Sequence, residues 1–540
     1  MPNGDVSTMH YSSAMLLLLL ISASMAAGDQ LEDTVISGSM AAGEGQLEDA
    51  VKMAISGICE AREYIEALAK VHGSGRVSRI GAAMDDCAHL YDATHDRLDR
   101  LIAARGRGVD DGLTWLSAAL AAHRTCLDGM REVGFRGTRI TNGRNVTRLL
   151  GDALASYKRG SGRVTGERMS YKAGKVNNGG LLASWNPSKS NTVFVVAKDR
   201  PGTNTTINAT VTGLLASWNP LKSKVDFVVA KDGSGTHTTI NDAVSAMSKM
   251  GKNRPWRLIV YVKAGVYNEN VVIERDLKNV MFVGDGIDKT IVTGSKNVVD
   301  GFTTFNSATF GVSGDEFWAR DMTFENTAGP QKHQAVALRV DSDLLVFYKC
   351  SMRAYQDTLY VHSLRQFYRD CEIHGTVDFI FGDSATVLQN CNIFVRKPML
   401  GQSNMVTAQG RDHPDENTGI VIHASRVIPS SEFVATKNDP KSFLGRPWRQ
   451  YSRTVFIKTD LDGLIHPKGW KEWKGNFALS TLYYGEYMNT GAGANTDQRV
   501  NWPGFHVLRL EEANQFSVSQ FLTHSASWIT ATSIPCYPGI

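Results

Sequence analysis

Three stretches, LLVFYKCSM (344–352), RQFYRDCEI (365–373) and ATVLQNCNI (385–393), repeat one pattern: an apolar run that leads to a cysteine and two further residues. Their aligned KCSM, DCEI and NCNI place Cys350, Cys371 and Cys391 at intervals of 21 and 20 residues. A strand-turn unit that returns at this interval with equivalent side chains stacked predicts a parallel β-helix. Outward from these coils, further short runs continue the period-two pattern: DFVVA (226–230), RLIVYV (257–262), NVMFVG (279–284), GIVIHAS (419–425) and RTVFIK (453–458). Equivalent positions on adjacent coils lie about 4.8 Å apart, so one pair among the three cysteines is expected to close a bridge and one to be left over.

Before about residue 157 the period is 3.6 instead. Ile80, Met84, Cys87, Tyr91, Thr94, Leu98 and Leu101 step by four and three, as do Leu113, Leu116, Leu120, His123, Leu127 and Met130. One buried stripe per helix follows, and with flanking helices at 47–70 and 140–157 the expectation is an antiparallel four-helix bundle over 46–157. Cys87 and Cys126 each lie beside a stripe, which makes them a candidate bridge in a secreted chain.

Composition bounds the rest. A chain of 540 residues calls for two to four domains, and 42% hydrophobic with 21% charged residues excludes a disordered, collagenous or coiled-coil protein. A net charge of +4 is too mild to imply nucleic acid. Residues 15–21, MLLLLLI, followed by small residues to Gly28, predict a signal peptide over 1–27, although residues 1–13 hold no Lys or Arg. That apolar run is too short to span a bilayer, so no membrane association is expected after processing. Sequons at Asn145, Asn204 and Asn208 are compatible with secretion. Between the two periodic regions, LLASWNPSKSNTVFVVAKDRPGTNTTINATV (181–211) recurs as LLASWNPLKSKVDFVVAKDGSGTHTTINDAV (214–244), so 158–224 reads as a linker with a partial duplication.

The polar residues of the second half gather in QAVALR (334–339), YQDTLY (355–360), GTVDFIFGD (375–383) and LGRPW (444–448). Asp357 and Asp378 are 21 residues apart, one coil, which sets both carboxylates side by side on an outer face. Neighbouring carboxylates push their pKa values apart, leaving one ionised and one protonated: a nucleophile or base beside an acid. The amides of Gln334 and Gln356 fall near the same patch and could stabilise an oxyanion, while Arg446 offers a cation and Trp448 a stacking face. A surface Asp or Gln is ordinarily just solvated; the aromatic run Phe379-Ile380-Phe381 around Asp378 argues for a partnered or functional carboxylate.

At these residues the sequence resembles the plant pectin methylesterases, or pectinesterases. The match runs from about 225 to 522 and includes GVYNEN (265–270), DGFTTFNSATF (300–310), NTAGPQKHQAVALRV (326–340), YQDTLYVHSLRQFYRDC (355–371), VTAQGR (406–411) and FLGRPWRQYSRTV (443–455). The resemblance implies a right-handed parallel β-helix over 225–522 with a tail at 523–540, and a secreted cell-wall enzyme that removes methyl esters from homogalacturonan. It implies Asp378 as nucleophile, Asp357 as proton donor and Gln356 as transition-state stabiliser. Thr304, Gln334, Arg446 and Trp448 resemble substrate-binding positions, and Cys371 and Cys391 the pair bridged in relatives. It implies no metal or organic cofactor, and a monomer acting on pectin with a separate inhibitor protein as a further partner.

The helical region resembles the inhibitor-like pro-domain of longer family members through DDCAHLYDA and HRTCLD, which carry Cys87 and Cys126. Two features depart from that pattern. The cysteine hairpin expected before the bundle is replaced by a duplication over 21–51, and Lys158-Arg159 is what remains of a dibasic processing site. Two other readings carry tests: a lyase or polygalacturonase would shorten the polymer, and a silent β-helix serving only as an inhibitor would release no methanol.

Overall fold

The computed structural model describes residues 44–72, 79–103, 109–135, 142–164, 214–433 and 441–540. The signal at 1–27 and most of the duplicated linker lie outside the described residues, as do Asn204 and Asn208. The chain divides into two compact units, Met1–Gln46 and Leu47–Ile540, and the second holds the helices from Leu47 onward and the whole β-helix.

Four helices come first: α1 (Glu44–His72), α2 (Arg79–Ala103), α3 (Val109–Glu132) and α4 (Asn142–Val164). The α2 stripe buries Met84, Cys87, Leu90, Tyr91 and Leu98, which pack with Leu116, Leu120 and Met130 of α3 and Leu150 and Leu154 of α4 in one core. The stripe forms because residues three and four apart share a helix face. Cys87 and Cys126 are bridged, with Cα atoms 4.6 Å apart, tying α2 to α3. His123 faces the same interior and its Nδ1 lies 2.9 Å from the Tyr91 hydroxyl, so neither polar group is buried alone.

The second half winds as a parallel β-helix of three sheets, with eleven, seven and eight strands among the described residues. Each central coil contributes one strand to each sheet in turn. Thus Val346, Phe367 and Val387 stack in the first, Leu338, Leu359 and Ile380 in the second, and Met352, Ile373 and Ile393 in the third. The interior is aromatic and aliphatic: Phe347 lies parallel to Tyr368 at 5.4 Å, and Phe310 meets Phe324 at 4.8 Å.

The corners explain how so short a repeat turns. Asp321, Lys349, Asp370 and Asn390 take φ of 56°, 52°, 53° and 56° at the same corner of four coils, left-handed conformations that Asp and Asn tolerate better than most residues. The corner into the second sheet is made the same way by Asp357 (φ 64°) and Asp378 (φ 51°).

The stacked cysteines do not bridge. Cys350, Cys371 and Cys391 are all buried thiols, which corrects the expected Cys371–Cys391 pair. They precede Ser351, Glu372 and Asn392, which are in parallel register, so their Cβ vectors run alongside one another. Their thiols turn to backbone carbonyls instead, Cys371 Sγ donating to Arg369 O at 3.3 Å and Cys391 Sγ to Gln389 O at 3.5 Å.

The 523–540 segment, read as a tail, is part of the packing. Trp528, Ile529 and Ile534 are buried with Val421 and Val455 against the outside of the first sheet, and the Tyr537 N–H donates to Gln389 Oε1 at 2.8 Å.

Candidate active site

Asp357 and Asp378 each stand two residues before an in-register strand pair, Leu359 and Ile380, so one corner of two adjacent coils presents both carboxylates. The Asp357 N–H donates to Val377 O at 3.0 Å, fixing one corner against the other. On the coil before, the N–H of Ala335, next to Gln334, donates to Gln356 O at 3.3 Å. The Arg446 N–H donates to Thr407 O at 3.1 Å, which brings its side chain in from a later coil. All seven residues singled out above, Thr304, Gln334, Gln356, Asp357, Asp378, Arg446 and Trp448, line one cavity of about 270 Å³.

The two carboxylates differ in partners. Arg446 forks onto Asp378, Nε donating to Oδ1 at 2.8 Å and Nη2 to Oδ2 at 2.5 Å. Burial pushes the Asp378 carboxyl above its ordinary range, and this guanidinium opposes the shift. Asp357 has no such fork. Burial first, then the charges of Asp378 and Glu132, push it well above the ordinary carboxylate range, with only a more remote opposing pull from Arg446. The fork therefore favours the ionised form at Asp378, while burial and the neighbouring carboxylates favour the protonated form at Asp357.

Aromatic walls complete the cavity. Tyr360 stacks on Phe381 at 4.2 Å and 16°, Phe381 meets Trp448 edge-on at 6.0 Å, and the Arg446 guanidinium lies 4.3 Å from the centre of the Trp473 ring. Tyr360 and Phe381 lie within YQDTLY and GTVDFIFGD, each three residues after an aspartate that turns the corner into the strand; Trp473 lies in no such repeat and had no sequence signal.

The remaining wall comes from α2 and α3. Asp86, Thr125, Asp128, Gly129 and Glu132 all line the cavity. Glu132 accepts from the Thr304 N–H and hydroxyl, both at 2.8 Å, and Asp86 accepts from the Thr303 hydroxyl at 2.5 Å and Asn306 Nδ2 at 2.8 Å. Thr125 Oγ1 lies 3.2 Å from the Tyr360 hydroxyl and 2.8 Å from His362 Nε2. Arg449 pairs with Asp128, and Arg124 is buried between Glu416 at 2.7 Å and Asp383 and Asp412 at 3.4 Å. The bundle core runs on without a break into Phe305, Val336, Tyr360, Phe381 and Ala408 of the β-helix. Asp357 and Asp378 are consequently only 7% and 6% exposed, where the coil spacing alone predicted an open outer face.

Burial raises the Asp86 carboxyl to about 7 against the pull of Thr303 and Arg339. Burial of its carboxylate raises Glu132 too, against the opposing hydrogen bonds from the Thr304 N–H and hydroxyl. None of these helix residues was foreseen as part of the site. The helical stripe predicts which residues face the bundle core and is silent about what the opposite side meets.

Residues 226–525 match the family described as Pectinesterase, and residues 38–155 the family described as Plant invertase/pectin methylesterase inhibitor. The chain is 52% identical over 524 residues to a probable pectinesterase/pectinesterase inhibitor 36 of Arabidopsis thaliana, covering 91% of this chain and 94% of that one. It is 48% identical over 473 residues to pectinesterase 2 of Citrus sinensis, covering 86% and 83%. Among solved structures, pectin methylesterase from carrot superposes with a TM-score of 0.57 at 53% identity, covering 59% of this chain and 98% of that one.

Proposed function

The chain belongs to the pectinesterase family, and from that premise we propose that Asp378 and Asp357 perform the ester hydrolysis as nucleophile and acid. The activity is that of a carboxylic ester hydrolase acting on the methyl esters of pectin. What supports the division of labour is the asymmetry of the pair, since Arg446 forks onto Asp378 alone. An ionised Asp378 attacks the C6 carbonyl of a methyl-esterified galacturonate, and the new oxyanion is met by the side-chain amides of Gln356 and Gln334. Asp357 gives its proton to the departing methoxide, releasing methanol and leaving an acyl-enzyme at Asp378. It then takes a proton from water, whose hydroxide portion opens that anhydride and restores both carboxyl groups.

In this reading Thr304, Arg446 and Trp448 hold the sugar chain, with Phe381 and Tyr360 as its apolar floor. The bundle is a cover: Glu132 holds the Thr304 N–H and hydroxyl that a uronate carboxylate or ester would otherwise meet. A cavity of about 270 Å³ is at the small end for any ligand and leaves no passage for a polymer, so the bundle must lift or be removed before pectin enters. A separate inhibitor protein would compete for the same face. The expected setting is the cell wall, reached by secretion, with the enzyme acting as a monomer.

The test is methanol release from methylated homogalacturonan by the secreted protein with its cover loosened. Asp378→Asn is expected to lower the rate by at least a thousandfold with no change in folding, since it removes the attacking oxygen. Full release by that variant would overturn the assignment, and chain shortening would point to a different pectin chemistry.

A further inference from the structure

A second cavity, of about 600 Å³, lies on the outer face of the third sheet, and none of the described bundle residues lines it. Its floor is a register-matched row: Glu325, Arg353, His374 and Phe394 stand side by side on four consecutive strands, all half-buried. His374 and Phe394 lie flat on one another at 4.4 Å and 13°, making a continuous planar surface. One wall is Tyr355, under the Arg396 guanidinium at 3.7 Å, with Arg396 Nη2 donating to the Tyr355 hydroxyl at 2.7 Å. Two polar atoms of the lining residues, His374 Nε2 and Ser430 Oγ, are buried without a hydrogen-bond partner, the carboxylate nearest to His374 Nε2 being Glu372 at 3.6 Å.

The charge pattern decides what such a surface holds. Arg396 is forked by Glu432 at 2.5 and 3.1 Å, and Arg353 reaches Asp288 at 2.5 Å and Glu372 at 3.5 Å. Glu325 adds a further carboxylate, so among the described residues of the floor and wall each guanidinium is already paired. A flat aromatic plane beside paired guanidinium and carboxylate groups suits neutral pyranose rings instead: C–H faces on the plane, hydroxyls and ester carbonyls on the polar forks.

Resting on the esterase reading above, we propose that this groove is a second binding site for pectin, selective for runs of methyl-esterified galacturonate over the de-esterified product. Tyr355 immediately precedes Gln356 and Asp357, and its carbonyl accepts from the Thr376 N–H at 2.8 Å, two residues before Asp378. A chain seated in the groove therefore lies against the same turns that carry the catalytic pair. It holds unreacted polymer beside the cleft and lets go of stretches already converted to carboxylate. The described bundle residues contact the cleft and other parts of the β-helix, but none lines this groove, so they leave it open.

The test measures binding of the full chain to highly methyl-esterified homogalacturonan and to the same polymer after saponification, by affinity electrophoresis. The esterified polymer is expected to bind at least tenfold more tightly. Phe394→Ala, which removes half of the plane, is expected to lose most of that difference with an unchanged thermal transition. Glu325→Lys, a half-buried floor position, guards against misfolding of the first variant and should shift preference toward the saponified polymer. Equal binding of the two polymers, or wild-type preference retained in both folded variants, would overturn the groove. Methanol release by a chain with Arg124→Ala, whose bundle is shown by limited proteolysis to detach, checks the esterase separately: release without selective binding sinks the groove alone, and no release from the detached form sinks the esterase reading.

Discussion

Replacing Arg124 with alanine should convert a covered enzyme into an open one. Its guanidinium is supplied by α3 yet buried among β-helix acids, pairing with Glu416 at 2.7 Å and with Asp383 and Asp412 at 3.4 Å. With Arg124 removed, Asp383 and Glu416 face each other in the covered state with less compensating charge, and burial together with Glu416 already pushes Asp383 well above the ordinary range. Breaking one side of a buried ion pair costs about 3–5 kcal/mol. Asp383 can take up a proton and recover part of that, which favours about 3 kcal/mol, a shift of roughly two orders of magnitude between covered and open states. The cost falls on the covered state, because lifting the bundle returns these carboxylates to water. Methanol release by the full chain at pH 7 is the assay, with limited proteolysis reporting bundle detachment. A rise of tenfold or more is expected. An unchanged rate from a chain whose bundle detaches, or a wild type already as fast as the variant, would refute the covering role.

The cover should also weaken as pH rises. Asp86 sits at about 7 when buried against Thr303, Asn306, Arg339 and Glu132, and returns toward about 3.8 when the bundle lifts. The covered state therefore holds the extra proton, so its advantage is complete below about pH 4 and falls away up to about pH 7, by as much as tenfold per pH unit for that one proton. Glu132 acts in the same direction, and activity of the full chain measured from pH 4 to 7 on a soluble methyl ester should climb more steeply than that of the bundle-free enzyme. Reducing the Cys87–Cys126 bridge, which closes a separation of 39 residues, should cost the bundle about 4 kcal/mol by chain entropy and raise activity, read by calorimetry and methanol release. Gly382→Ala should prevent accumulation of folded protein, because φ is 132° and a Cβ there would stand 2.0 Å from Val361 O; normal secretion of a stable variant would contradict the close coil packing.

The parts legible in sequence were those with a local period. The 20- and 21-residue intervals between cysteines fixed the coil, and the same interval between Asp357 and Asp378 brought both to one corner, because parallel strands stack equivalent positions in register. Helical steps of three and four marked α2 and α3 in the same way. Resemblance added the assigned roles, which spacing does not contain. It also suggested the bridge that stacked parallel cysteines do not form.

What the fold alone decided was the meeting of distant surfaces. Glu132 reaches Thr304 across 172 residues and Arg124 reaches Glu416 across 292, and neither contact leaves a trace in any window of sequence. Those contacts bury the two aspartates, raise Asp357 and Asp86, and turn an open corner into a closed cavity. The chain's order of residues is enough to place two carboxylates one coil apart; their ionisation is set by what excludes water from them, and that is a property of the assembled bundle and β-helix together.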